Sequence, residues 1–293
     1  MTGTETIDPA HVGLDTWEDA AILAALVASQ RRAIDAVAKA SPAIAAAASA
    51  LAQLIGAQGR IVYVGAGSSG LLAAIDGVEL LGTYGWPADR VAFVLASGTT
   101  LAPLTGGEED DEDMARNAIA ALALTPSDVV IAVAASGTTP YTRAATDMAR
   151  ATGALTIGIA NNSGAPLLAS VDFPVLLESG PEVIVGSTRM GAGTAQKAAL
   201  NLISTLAMIR LGHVYDGLMV NLRADNQKLH ARSARMLRHI TGADEAAAME
   251  ALARADGSVK RAALLLSGFT PERADITLAE SGGNLRAALA LAS

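Results

Sequence analysis

Three short stretches of the chain bring hydroxyls, amides and glycines together at the ends of apolar runs. They are Gly65-Ala66-Gly67-Ser68-Ser69-Gly70, Ala135-Ser136-Gly137-Thr138-Thr139-Pro140 and Asn161-Asn162-Ser163-Gly164. Glycine lets a backbone approach an anion closely, and the amides that open a following helix point toward it. Serine and threonine add donors without adding charge. One such loop is as readily a tight turn with a helix cap. Two on neighbouring strands make a phosphate cradle. Gly67, Ser68 and Ser69 in the first loop, and Ser136, Thr138 and Thr139 in the second, are the candidate ligands.

Residues 65–70 also satisfy the G-x-G-x-x-G pattern of dinucleotide sites. That pattern needs an acidic residue at the end of the second strand to hold a ribose. Here the position reads Ala96-Ser97-Gly98, which cannot do so. No Gly-Lys-Ser/Thr follows a glycine at Walker spacing. No nucleotide cofactor and no metal is expected.

The loops must be placed by a scaffold, and the chain alternates strand and helix patterns. Arg60–Gly65, Val91–Ala96, Asp128–Ala134, Ala154–Ile159 and Phe173–Glu178 read as five short buried strands. Residues 69–81, 111–123, 140–152 and a short piece near 165–170 read as the helices between them. Strands apolar on both faces are parallel strands covered on each side. The expected fold is therefore α/β: a doubly wound, mostly parallel five-stranded sheet, binding its ligand beyond the carboxyl ends of the strands. Two helices precede it. The first runs from Thr16 to Lys39, and the second starts with Ser41 as N-cap and Pro42 at the first helical position. Two long helices follow, at about 190–212 and 221–240. Residues 241–293 read as a small helical bundle, with Thr241 and Asp244 resembling a capping box. Residues 1–16 read as a mobile arm, 17–240 as the sheet domain with its flanking helices, and 241–293 as the C-terminal bundle.

Composition narrows the function. The 293 residues carry a formal charge of -8 and no cysteine. That excludes a thiolate nucleophile, a disulfide framework and a Cys-ligated zinc. No basic stripe suits a nucleic acid, and aromatic residues make up only 3 % of the chain. Mean hydropathy is +0.37, yet the longest uncharged run, between Lys39 and Arg60, is alanine-rich and too weakly apolar to span a membrane. The N-terminus is acidic, without the apolar segment of a signal peptide. A cytoplasmic protein is expected, acting on a small molecule and free of membrane and nucleic acid.

The loops GAGSSG and ASGTTPY resemble the paired phosphosugar loops of the sugar isomerase (SIS) domain. The segment from Gly180 to Lys197, GPEVIVGSTRMGAGTAQK, is more specific. With Asn201-Leu-Ile-Ser-Thr205, Met208-Ile-Arg-Leu-Gly212 and Asn226-Gln-Lys-Leu229, it resembles the N-acetylmuramic acid 6-phosphate etherase family. The likeness runs from about residue 15 to the end, where GFTPERADITLAESGGNLRAAL is similar to that family's UBA-like helical tail.

The resemblance implies a lyase. Members remove D-lactate from N-acetylmuramic acid 6-phosphate by elimination across C2–C3 of the open-chain sugar, followed by addition of water. Such chemistry needs a base at C2 and an acid at the leaving oxygen, and two carboxyl groups in different environments can supply them. Glu79, before Leu80-Leu81-Gly82-Thr83-Tyr84-Gly85, resembles the family's proton donor. Without the resemblance it reads as a surface charge near a helix end. The second carboxylate falls in the acidic turn from Thr105 to Asp113. Glu108 matches best, with Glu109 or Asp110 open, and the plain alternative is a solvated helix start. Glu182, Ser187 and Lys197 are candidate substrate contacts, with Arg189 a further cation near the anion. Ser187, Arg189 and Lys197 each read equally as a helix cap or a contact between subunits. The histidines, His11, His213, His230 and His239, are scattered. The resemblance also implies a homodimer with the site completed across subunits.

Several positions depart from the family's pattern. Leu71 and Thr138 stand where arginines are usual, Leu80-Leu81-Gly82 replaces Cys-Pro-Pro, and Val27-Ala28-Ser29-Gln30 replaces an acidic segment. Neither leucine nor threonine can hold a phosphate or carboxylate bidentately as arginine does. Two other readings therefore stay open: an aldose–ketose isomerase of the same fold, and a sugar-phosphate sensor without turnover.

Overall fold

The computed structural model describes residues 3–99, 106–222 and 227–291. Thr105 of the acidic turn, the stretch 223–226 of the expected helix 221–240, and Asn226 lie outside them. The chain divides into two compact units, Met1–Gly77 with Asp89–Ser204, and Val78–Ala88 with Thr205–Ser293. The boundary thus falls at 204/205 rather than at 240/241.

The first unit is built on the expected sheet. Its strands are β1 (Ile61–Gly65), β2 (Val91–Leu95), β3 (Val129–Val133), β4 (Leu155–Ala160) and β5 (Phe173–Leu176). All pair in parallel, in the order β2-β1-β3-β4-β5. Every residue of β1 and β3 is buried, which is why both read as unbroken apolar runs. Alternate residues serve opposite faces. Val62, Val64, Val130 and Ala132 pack with α4 (Glu112–Ala121) and α5 (Pro140–Ala151). On the other face Tyr63 stacks on Phe93, and α3 (Gly67–Tyr84) lies so close that a Cβ on Gly77 would stand 2.6 Å from the Phe93 ring.

α1 (Asp19–Lys39) and α2 (Ser41–Leu54) meet at a bend of 59°. Among the described residues no single helix is long and apolar enough to cross a membrane. Ser41 does not cap α2. It already lies in the helix, and its hydroxyl donates back to the Ala38 carbonyl at 2.7 Å. The arm expected over residues 1–16 is three 3-10 turns, Gly3–Glu5, Pro9–His11 and Leu14–Thr16, anchored by the fully buried Thr4. The unit is completed by α6 (Pro166–Ala169) and most of α7 (Gly191–Arg210).

Asp128 immediately precedes β3 and joins two neighbours through three contacts. It accepts from the backbone amides of Arg60 and Thr125, at 2.8 Å each, and pairs with the Arg60 guanidinium at 2.9 Å. Burial pushes its carboxyl up, but the guanidinium and the two amides outweigh burial and hold it at about 2. The folded form thus binds this proton less tightly than the unfolded chain. The stabilisation is full above about pH 4 and is lost as pH falls toward 2. Asp128→Ala is expected to cost about 3 kcal/mol at neutral pH. Thermal unfolding from pH 7 down to pH 3 should show its deficit shrinking. A deficit independent of pH would refute the assignment.

In the second unit, α8 (Gln227–Thr241) shares a core with α9 (Glu245–Arg254), α10 (Val259–Leu266), α11 (Pro271–Glu280) and α12 (Leu285–Ala290). That shared core is why the boundary precedes α8. Thr241 ends α8, and Asp244 alone caps α9 through the Ala247 amide. Lys260 is buried, and its ammonium donates to the Gly283 carbonyl at 2.8 Å. Burial lowers its pKa to about 8.

Candidate functional site

Sheet order determines where the crevice opens. β1 lies between β2 and β3, so the chain leaves β1 toward one side and β3 toward the other. Gly65 pairs with Val133, so the two hydroxyl-rich loops leave adjacent strands at the same level. Between them is a cavity of about 170 Å³, lined by Ala66, Gly67, Ser68, Ser69, Ala134, Ala135, Ser136 and Thr139. Glu5, Glu109, Gly186 and Thr188 complete its wall.

The loop after β1 turns directly into α3. Gly70 donates to the Ala66 carbonyl at 2.9 Å, leaving the first amides of the helix without intrahelical acceptors. The turn is possible because Gly65 and Gly70 touch backbone to backbone. A Cβ on Gly65 would lie 2.8 Å from the Gly70 Cα. The second loop opens α5 in the same way, with Pro140 in the first turn and Arg143 donating to the Thr139 carbonyl at 3.1 Å. Two helix N-termini therefore face one cavity, each with its partial positive charge. Hydroxyls of Ser68, Ser69, Ser136 and Thr139 surround it. No lysine, arginine or histidine is among the described residues of the lining. Dipoles and neutral donors are what this cleft offers an anion.

Thr138 stands outside the lining. Its side chain is exposed, and both its amide and its hydroxyl donate to Ser136 Oγ, at 3.1 and 2.9 Å. It braces Ser136 instead of facing the cavity. Glu182, expected to touch substrate, has both carboxylate oxygens occupied. They accept from the first amides of α7, Gly191 at 2.9 Å and Ala192 at 2.8 Å, and the residue is 1 % exposed. It is a helix cap, and its loop presents Gly186 and Thr188 to the cleft in its place. Ser187 is half-buried and absent from the lining, and Lys197 is exposed on α7.

The acidic turn delivers one carboxylate. Residues Gly107–Asp110 form a 3-10 turn, and Glu109, not Glu108, lines the cavity. Its Oε1 lies 2.7 Å from where a Cβ of Gly67 would stand. Partial burial, and then the neighbouring Asp110, raise its pKa above the usual glutamate value. The rest of the acidic run behaves as a helix start, with Asp111 capping α4 through the Met114 amide at 2.8 Å. Glu79 lies in the part of α3 that belongs to the second unit, and its side chain is exposed.

Two polar networks were not apparent from the sequence. Asp76, on α3, is buried and accepts from Tyr63 Oη at 2.7 Å, Asn201 Nδ2 at 2.6 Å and Ser204 Oγ at 3.0 Å. It ties the helix that opens at the cleft to β1 and α7. The signal was available, because Asp76 falls on the helix's inner stripe with Ala73 and Leu80. The third loop is occupied by protein contacts. Asn161 bonds Gln196, Ser179 and the Leu177 carbonyl, while Asn162 bonds Thr4.

Comparison with known proteins gives the family. A family model described as SIS domain matches residues 26–161. An N-acetylmuramic acid 6-phosphate etherase of Deinococcus radiodurans is 48 % identical over 288 residues, covering 98 % of this chain and 94 % of the relative. The etherase of Symbiobacterium thermophilum is 49 % identical, covering 79 % and 77 %. That of Streptomyces avermitilis is 45 % identical, covering 88 % and 83 %.

Proposed function

The chain belongs to the N-acetylmuramic acid 6-phosphate etherase family, and from that membership we propose that it is a carbon–oxygen lyase. It cleaves the D-lactyl ether of N-acetylmuramic acid 6-phosphate to give N-acetylglucosamine 6-phosphate and D-lactate. The observation that carries the proposal is the cleft at the β1/β3 crevice, where two helix N-termini and a carboxylate of raised pKa face one cavity.

In this reading the 6-phosphate is held by the amides opening α3 and α5 and by Ser68, Ser69, Ser136 and Thr139. Neutral donors and helix dipoles then serve in place of the arginines that the family resemblance leads one to expect at Leu71 and Thr138. Glu109 takes the proton from C2 of the open-chain sugar. Its pKa, raised by burial and by Asp110, makes its carboxylate a stronger base than an ordinary exposed glutamate. The electron pair left at C2 is delocalised onto the C1 carbonyl, then forms the C2–C3 double bond as the C3–oxygen bond breaks. Glu79 gives its proton to the departing lactyl oxygen. Water adds at C3, and a proton returns to C2. Glu182 and Ser187 shape the loop beside the cleft, and Lys197 supplies long-range positive charge.

We further propose a homodimer in which Glu79 serves a partner's cleft. The exposed apolar side chains of Val78 and Leu81 beside Glu79 support this, since an interface there would bury them. We further propose a cytoplasmic location, as suits an enzyme of amino-sugar catabolism.

The test is to follow D-lactate by a coupled assay after mixing the purified protein with N-acetylmuramic acid 6-phosphate. Stoichiometric D-lactate and N-acetylglucosamine 6-phosphate are expected. A thermal shift with this ligand but no lactate would leave the cradle and overturn the lyase, in favour of a sensor.

A further inference from the structure

The cleft contains acceptors as well as donors, and one of them comes from an unexpected part of the chain. Glu5, on the first 3-10 turn, lines the cavity together with Ser68, Ser69, Ser136 and Thr139. Its Oε2 lies 3.6 Å from where a Cβ of Gly186 would stand. Glu109 enters beside Gly67, so the two carboxylates belong to different walls.

A built latch holds Glu5 there. Thr4 is fully buried, and its amide donates to Asn162 Oδ1 at 3.0 Å. Asn162 Nδ2 donates in turn to Thr4 Oγ1 at 3.1 Å. This reciprocal pair joins residues 158 apart in sequence and uses the third strand-end loop, which the phosphate cradle leaves unused. Gly3 stands at φ +57, and a Cβ there would fall 1.8 Å from Asn162 Oδ1, so the latch closes only with glycine at this position.

A fixed carboxylate beside a bound phosphate is unfavourable unless its oxygens meet donors on the ligand. Hydroxyls of a sugar are such donors, and a bare inorganic anion has no comparable array of them. The site would thus disfavour simple anions and accept a polyhydroxylated phosphate ester, discriminating by hydrogen bonds that the wrong ligand leaves unmade. We infer that Glu5 is a specificity-determining residue, carried into the cleft by the N-terminal segment and latched through Thr4 and Asn162, that accepts hydrogen bonds from the hydroxyls of the sugar phosphate. The inference rests on the proposed function for the identity of that ligand.

Calorimetric titration with two probes, N-acetylglucosamine 6-phosphate and inorganic phosphate, tests it. Glu5→Gln should weaken the sugar phosphate by about tenfold or more and leave inorganic phosphate as tight or tighter. Gly3→Ala, which blocks the latch without touching the cavity wall, should shift the same ratio in the same direction. Parallel weakening of both ligands, or an unchanged ratio in either variant, would overturn the assignment. Failure of the lyase reading would show separately, as wild-type protein that binds the sugar phosphate but releases no D-lactate.

Discussion

Glu109→Gln should lower kcat for D-lactate release roughly 10²- to 10⁴-fold, the usual contribution of a positioned acid or base. Glutamine keeps the size of the side chain and the contact beside Gly67, so phosphate binding and KM should change little. A second consequence follows from the raised pKa, caused by burial and by Asp110. A base loses activity when protonated, so the acid limb of the wild-type pH–rate profile should fall at a higher pH than for an ordinary exposed glutamate. Removing the neighbouring charge with Asp110→Asn should move that limb toward lower pH. Glu108→Gln makes the sharp control. Sequence matching favours Glu108, whereas the cavity is lined by Glu109. A large loss in Glu108→Gln with a small one in Glu109→Gln would reverse the assignment.

The second large effect is expected at Glu79. As the acid for the lactyl oxygen, Glu79→Gln should abolish steady-state lactate release to a similar degree. It should leave exchange of the C2 proton with solvent deuterium measurable, because abstraction precedes departure of the leaving group. In Glu109→Gln both processes should fall together. The contrast separates the two carboxyl groups by step as well as by size of effect. Loss of C2 exchange in Glu79→Gln with retention in Glu109→Gln would exchange their roles. The homodimer adds a complementation test. Mixing Glu79→Gln with Glu109→Gln subunits should restore part of the activity if each cleft takes Glu79 from its partner, and none if both groups come from one chain.

Much of this framework was legible before any coordinates. β1 and β3 are buried along their whole length, so period-free runs of β-branched residues located them to within a residue. The meeting of the two hydroxyl-rich loops was legible for the same reason, since parallel strands in register carry their following loops to one edge. What the sequence left undecided is which partner each polar side chain takes. Ser41 and Thr241 have capping side chains, yet whether such a hydroxyl caps the next helix or bonds back to the preceding one depends on the angle between elements. Glu108 and Glu109 are equivalent in composition, and only the rotation of a single 3-10 turn selects Glu109. Glu182 carries the charge expected of a ligand-binding residue, but the two unpaired amides opening α7 claim it. Glu5 was unreadable because its place depends on Asn162, a partner far along the chain.

The most direct test of the central claim is to run the reaction on N-acetylmuramic acid 6-phosphate in ¹⁸O-water and locate the label by mass spectrometry. Elimination followed by hydration breaks the C3–oxygen bond. D-lactate should therefore leave with its original ether oxygen, and the ¹⁸O should appear in the C3 hydroxyl of N-acetylglucosamine 6-phosphate. Label in the lactate, or no lactate at all, would contradict a lyase at this cleft.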